Sequence, residues 1–228
     1  MNIAQLQRTI GTRPDGLWGP ASKHALLITF ANRTAPAVTA KDLAAAAYRL
    51  GCSILQLQAV REVESDGNGF DAAGRPKILW ERHRFHRQTG GRFSPSEFSQ
   101  STMGGYTYDA NKDGVVDSWD RLSAAIATGF VDVAFQSCSW GAFQIMGDWW
   151  DELKYASPFD MAISTRVSEA AHLDMLVRFI EHNGLQDEIR ALTSNPATCR
   201  AFAAAYNGPA FRKNRYDEKL AAVMAGRA

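Results

Sequence analysis

One amphipathic segment decides the fold, Ser53-Ile-Leu-Gln-Leu-Gln-Ala-Val-Arg-Glu-Val-Glu64. Ser53 with Gln56 three residues later is a capping box, which predicts a helix that runs to about Glu64. On an ideal helix Glu64 lies seven residues beyond Leu57 and continues the apolar stripe in the last turn. A carboxyl group at the edge of an apolar surface has a raised pKa, which suits a general acid. The alternative is a helix-end carboxylate paired with an arginine.

Most of the chain around this segment also has helical spacing. Thr39 with Asp42 is a second capping box, which predicts a helix over Ala40–Leu50 that ends at Gly51. Further helices are expected at about residues 119–136, 140–152, 165–183, 185–193, 197–206 and 215–226. Residues 66–118 are rich in loops, with a short strand or irregular segment at 81–86. The sequence therefore predicts a mainly α protein with a few short strands.

The first 34 residues have the pattern of a small helical hairpin. Two apolar groups have helical spacing, Ile3-Leu6-Ile10 and Leu26-Leu27-Phe30, and Pro14-Asp-Gly16 is a turn signal between them. Basic side chains outnumber acidic ones in this hairpin. We therefore predict a module at residues 1–34, a linker at 35–39 and a catalytic domain at 40–228.

Composition excludes several classes of function. The 228 residues are 46% hydrophobic and 21% charged, so the chain is not disordered throughout. A formal net charge of +1 argues against a chain-wide nucleic-acid or membrane-surface binder. No apolar run approaches the roughly 18–20 residues that span a bilayer, and no secretory signal is recognisable at the start. We expect a monomer with no nucleic-acid partner and no membrane insertion.

A second carboxylate lies in Lys77-Ile-Leu-Trp-Glu-Arg-His83. Glu81 follows apolar residues and is surrounded by cations, so it is a candidate base, water-orienting group or substrate ligand. The alternative is an ion pair with Arg82 or Arg84.

Two further segments carry side chains that suit a sugar. Ser139-Trp-Gly-Ala-Phe-Gln-Ile-Met-Gly147 offers the Trp140 ring for stacking and the Gln144 amide for hydroxyl or acetamido groups. Ala205-Tyr-Asn-Gly-Pro209 offers the Tyr206 hydroxyl and the Asn207 amide. The alternatives are a buried core helix for the first segment and a helix C-cap for the second.

The segment from Asp109 to Asp120 fits the calcium-loop pattern. Its oxygen donors are Asp109, Asn111, Asp113, the backbone carbonyl of Val115, Asp117 and Asp120, where Asp120 replaces the usual Glu. Gly114 occupies the turn position. The alternative is an acidic turn that caps the next helix. A calcium ion here would be structural, and we predict no cofactor for the chemistry.

Five segments in series resemble the N-acetylmuramidase domain of phage endolysins, a lysozyme-like family. They are Leu43–Gly51, Val60–Ser65, Arg75–His83, Ser139–Gly147 and Tyr206–Pro209. In the hairpin, Asp15-Gly-Leu-Trp-Gly-Pro20 resembles the small helical peptidoglycan-binding module, which makes Trp18 a further substrate-binding candidate. The calcium-loop pattern is a departure from the family.

The resemblance implies a helical, lysozyme-like enzyme that cleaves the β-1,4 bond between N-acetylmuramic acid and N-acetylglucosamine in bacterial peptidoglycan. The family's catalytic acid maps to Glu64, and Glu81 maps to a residue that lines the site. Gln144, Tyr206 and Asn207 map to the lysozyme-like cleft.

Two alternatives stay open. A lytic transglycosylase would form 1,6-anhydro products, and a non-catalytic wall-binding protein would cleave nothing. We expect synthesis in a host cytoplasm without a signal peptide and action on the periplasmic peptidoglycan layer after a separate protein permeabilises the membrane.

Overall fold

The computed structural model describes residues 1–65 and 67–226, so the last two residues of the predicted catalytic domain lie outside the described part. The described residues are mainly α-helical. In chain order the helices are α1 (Ile3–Thr9), α2 (Pro20–Phe30), α3 (Ala40–Leu50), α4 (Ile54–Glu64), α5 (Arg82–Gln88), α6 (Asp117–Ile126), α7 (Val131–Gln136), α8 (Pro158–Ser164), α9 (Glu169–His182), α10 (Gln186–Arg190), α11 (Pro196–Asn207) and α12 (Tyr216–Met224). The strands β1 (Ile78–Trp80), β2 (Cys138–Trp140) and β3 (Ile145–Met146) form an antiparallel sheet in that order.

Both predicted capping boxes are confirmed. The Thr39 hydroxyl accepts from the Asp42 amide at the start of α3, and the Ser53 hydroxyl accepts from the Gln56 amide at the start of α4. Gly51 ends α3 in the left-handed conformation, with φ +66°. The capping box fixes where α4 begins, and the extended backbone of Ser65 ends the helix after Glu64.

Several predicted element bounds are wrong. The helix expected at 119–136 is broken into α6 and α7, with Gly129 between them at φ +88°. The helix expected at 140–152 is absent, because that segment carries the end of β2, a turn, β3 and a 3-10 turn at Gly147–Trp149. The segment is buried on both faces, so its apolar spacing did not distinguish a helix from strands. At 81–86 the chain is the start of α5, preceded by β1.

The chain divides into two compact units whose bounds differ from those expected at 34 and 40. One unit contains Met1–Ala35 and Phe70–Val167, and the other contains Pro36–Gly69 and Ser168–Ala228. The predicted hairpin is part of the core of the first unit, because Phe30 is fully buried with its ring centroid 5.0 Å from Trp119. A segment of about 34 residues buries too little apolar surface to fold alone, which explains why it shares a core.

The second unit positions the first candidate carboxylate. Helix α4 lies against α3 and α12, and α11 lies against α12. Leu57 and Val60 are fully buried, so the predicted stripe is the inner face of α4, whereas Glu62 is exposed. Glu64 is the last residue of α4, and Asn207 is the last residue of α11.

Candidate active site

Glu64 is half-buried and accepts a hydrogen bond from the last residue of α11. The Asn207 amide donates from Nδ2 to Oε1 of Glu64 at 2.8 Å. Burial raises the pKa of Glu64 to about 7, although the Asn207 hydrogen bond and the positive charge of Lys219 act in the opposite direction. In the part of the chain that the structure describes, Glu64 makes no ion pair with an arginine. The carboxyl group can therefore hold a proton near neutral pH.

Two tyrosines complete the surroundings of Glu64. The Tyr206 ring stacks on Phe202 with centroids 5.7 Å apart and meets Phe179 edge-on at 5.4 Å. Burial and the charge of Glu64 raise the pKa of Tyr206 and of Tyr216, so both phenols stay neutral. The Tyr206 ring is therefore held by packing against Phe202 and Phe179. Tyr216 and Lys219 were not singled out as site residues by sequence reasoning, although they lie one turn apart on α12.

Glu81 stands between β1 and α5 and is held by polar side chains. The Tyr106 hydroxyl donates to Oε2 of Glu81 at 2.8 Å, and Nδ1 of His83 lies 3.2 Å from the same oxygen. Arg82 and Arg84, the alternative ion-pair partners, bind other groups. Arg84 pairs with Asp148, and Arg82 donates to backbone carbonyl groups. Glu81 is thus a positioned carboxylate, and Tyr106 is a partner that sequence reasoning missed.

Gln144 braces the turn between β2 and β3. Its Oε1 accepts from the Ser139 hydroxyl at 2.7 Å, and its Nε2 donates to the Gly141 carbonyl at 2.8 Å. Its backbone has φ +49°, and the residue is exposed. Both ends of the amide are therefore engaged within the turn, and a sugar-binding role for Gln144 stays a prediction.

The structure contradicts the prediction for Trp140. The side chain is 1% exposed, and Nε1 donates to the Phe135 carbonyl at 3.1 Å. Its ring stacks on Phe30 at 5.7 Å in the core of the first unit, which leaves no face for a sugar. Trp18 is half-buried, and its Nε1 donates to the Ser123 hydroxyl at 2.9 Å. The sequence pattern did not show which tryptophan side chains lie in the core and which are accessible to a ligand.

A lysine side chain lies among the residues proposed for calcium. Nζ of Lys23 lies 2.7 Å from Oδ1 of Asp120 and 3.8 Å from Oδ2 of Asp113, where a cation would be expected. Asp117 instead accepts from the Ala110 amide in the first turn of α6. Among the described residues, no three His, Cys, Asp or Glu side chains are grouped to hold a metal. The donors do not fit a calcium ion in this arrangement, because an ammonium group takes its place.

Comparison with known proteins places this mainly α chain in a class, the glycoside hydrolases. The sequence profile of the N-acetylmuramidase family matches residues 53–226, and the chain belongs to this family. It is similar to the crystal structure of Burkholderia AP3 phage endolysin, with 30% sequence identity and a TM-score of 0.73. That similarity covers 99% of this chain and 95% of the endolysin chain. No curated protein matches the chain.

Within residues 1–65 and 67–226, every helix is too short or too polar to cross a membrane.

Proposed function

We propose that the protein is an endolysin that hydrolyses the β-1,4 bond between N-acetylmuramic acid and N-acetylglucosamine, with Glu64 as the general acid. The observation that carries the proposal is the half-buried carboxyl of Glu64, whose pKa burial raises to about 7. A general acid works best when its pKa lies near the working pH, because it then holds a proton that it can still release.

The Asn207 contact supports one placement of the proton on Glu64. Because Asn207 donates to Oε1, we assign the proton to Oε2. In the reaction Oε2 protonates the glycosidic oxygen as the bond breaks and positive charge develops on the sugar. Burial of Glu64 disfavours the carboxylate form before the substrate binds.

The second carboxylate is a separate proposal. One oxygen of Glu81 accepts a hydrogen bond from Tyr106 and has the His83 imidazole beside it, which suits a group that orients a water molecule or the substrate. Whether water attacks directly or a covalent intermediate forms determines the stereochemistry, and the two outcomes differ in the configuration of the first product.

The test is mass spectrometry of purified sacculi digested by the wild type. Reducing-end N-acetylmuramic acid is expected. Products that carry only 1,6-anhydromuramic acid would make the protein a lytic transglycosylase, and reducing-end N-acetylglucosamine would mean that the other glycosidic bond is cut. Absence of any soluble product would leave a wall-binding protein.

We also propose that residues 1–34 bind peptidoglycan. Arg13 and Leu17 are highly exposed side chains of this segment, with exposures of 88% and 76%. Deleting the hairpin would open the core that Phe30 fills, so point variants are the sharper test. Arg13→Ser with Leu17→Ser, in a Glu64→Gln background, is expected to weaken sacculus sedimentation, with Tyr48→Ser as an exposed control. Unchanged sedimentation would reject the module.

An experiment can decide whether calcium or the Lys23 ammonium occupies the loop at residues 109–120. We expect a chelator to leave the melting temperature of the wild type unchanged, because the Lys23 ammonium already pairs with Asp113 and Asp120. Lys23→Met is expected to melt about 2 °C lower, and added calcium is expected to restore the loss. A lower melting temperature of the wild type in chelator would instead support calcium binding in the native loop.

Action on the periplasmic peptidoglycan layer, after a separate protein permeabilises the membrane, is part of the same proposal. It follows from the family and from the expected substrate.

A further inference from the structure

A loop at residues 102–106 is folded over the Arg82 guanidinium. Nε of Arg82 donates to the Thr102 carbonyl at 3.1 Å, and Nη2 donates to the Met103 carbonyl at 3.3 Å. Gly105 has φ +72°, and a Cβ atom at this position would overlap the guanidinium. The left-handed backbone therefore favours glycine at 105, and a larger residue there would displace the Arg82 guanidinium.

This loop carries Tyr106 to Glu81. The Tyr106 hydroxyl donates to Oε2 of Glu81 at 2.8 Å, so one end of the side chain is fixed. The Glu81 side chain is only 13% exposed, whereas Tyr106 is 44% exposed. The result is an accessible aromatic ring whose hydroxyl is anchored on a nearly buried carboxylate. Burial and the charge of Glu81 raise the pKa of Tyr106, so the hydroxyl remains a donor.

We propose that Tyr106 has two roles in glycan cleavage: its hydroxyl positions Glu81, and its exposed ring stacks on a pyranose of the glycan strand. Aromatic rings bind the C–H faces of sugars, and a ring that is already held loses little conformational freedom on binding. This inference rests on the proposed function, because it takes the glycan strand as the ligand.

The neighbouring Tyr108 provides a matched control. It lies two residues further along the chain and is 70% exposed, but its hydroxyl is not the group that binds Glu81. A general affinity of exposed tyrosines for peptidoglycan would involve both residues. A site built around Glu81 involves Tyr106 alone.

The stacking role is tested by binding without cleavage. In a Glu64→Gln background, we expect Tyr106→Phe to bind purified sacculi as tightly as the parent, because the ring is retained. Tyr106→Ala is expected to bind about threefold to tenfold more weakly. Tyr108→Ala is expected to bind like the parent. Equal losses in Tyr106→Ala and Tyr108→Ala, or no loss in Tyr106→Ala, would overturn the stacking role.

The positioning role is tested by kinetics on solubilised, uncrosslinked glycan strands. Tyr106→Phe is expected to lower kcat by about tenfold with KM unchanged, because the lost hydrogen bond frees Glu81 without removing the ring. Tyr106→Ala is expected to lower kcat similarly and also to raise KM. A wild-type kcat in Tyr106→Phe would overturn the positioning role.

A further variant tests the same loop without changing Tyr106 itself. Arg82→Met removes both hydrogen bonds to the loop carbonyls, so we expect it to raise KM and lower kcat while Tyr106 is still present. Equal melting temperatures would show that all variants are folded. A wild type that releases no muropeptides would refute the proposed function itself, whereas an active wild type with unaffected Tyr106 variants would refute only this inference.

Discussion

The two candidate carboxylates, Glu64 and Glu81, have opposite surroundings. Glu64 ends a helix on an apolar stripe, accepts one amide hydrogen bond from Asn207 and has a pKa of about 7. Glu81 begins a helix and has a hydroxyl and an imidazole beside the same oxygen. The contrast shows that neighbouring groups give the same residue type two different environments, which suit the two proposed roles. The surroundings of Glu64 favour holding a proton, and those of Glu81 favour holding one orientation.

The largest expected effect is that of removing the proton of Glu64. Glu64→Gln keeps the shape and can still accept from Asn207, but it has no proton to give. We expect lysis of purified sacculi, followed by turbidity, to fall by about 10³-fold or more. Glu62→Gln, two residues earlier on the exposed side of α4, is the control and should lyse normally. Unchanged lysis by Glu64→Gln would remove the basis of the comparison.

A smaller loss is expected at Glu81. Glu81→Gln retains an oxygen for Tyr106 but removes the negative charge, so we expect activity to fall by about 10-fold to 100-fold. Glu97→Gln is an exposed control in the same unit. A loss at Glu81 that equals or exceeds the loss at Glu64 would reverse the roles assigned to the two carboxylates.

The raised pKa of Glu64 also predicts a gain in stability when the group is replaced. The unfolded chain releases this proton near pH 4.5, but the folded chain holds it to about pH 7. Between these values a rising pH favours the unfolded state, so the charged group costs up to about 3 kcal/mol above pH 7. Glu64→Gln should therefore increase the free energy of unfolding at about pH 7.5.

Urea unfolding of the variant and the wild type across this pH range measures that gain. The gain should shrink as the pH falls and disappear below about pH 4.5, where both states of the wild type are protonated. Glu62→Gln should show no such dependence. A gain of the same size at every pH would mean that packing, and not the proton, is responsible.

Sequence reasoning identified Glu64 and Glu81 as candidates but missed Tyr106, the partner of Glu81, and the reasons are physical. Capping boxes and the 3.6-residue period are local, so α4 and the position of Glu64 in its last turn could be read directly. Tyr106 lies 25 residues beyond Glu81, and the loop over Arg82 that contains Gly104-Gly105 carries it to the carboxylate. A Gly-Gly-Tyr segment in a loop was the available signal.

The buried segment around β2 and β3 was misread for a related reason. All of β2 and Ile145 of β3 are buried, so neither the helical nor the strand period stood out. The same ambiguity made Trp140 a sugar-binding candidate, although it fills the core. Hydrophobic periodicity identifies helices and strands that have one polar face, because the polar residues mark the period. It does not identify elements that are buried on all sides.

The smallest expected effect concerns the charge that opposes burial at Glu64. Lys219 is exposed, and its positive charge lowers the pKa of Glu64, so Lys219→Met should raise that pKa further. The protonated fraction at about pH 8 then increases, and kcat/KM there should rise by about twofold. Salt at about 1 M screens the same charge, so the wild type and Lys219→Met should converge in it. The exposed Lys213→Met is the control, and a fall in activity at about pH 8 in Lys219→Met would contradict the assignment of Glu64 as the proton donor.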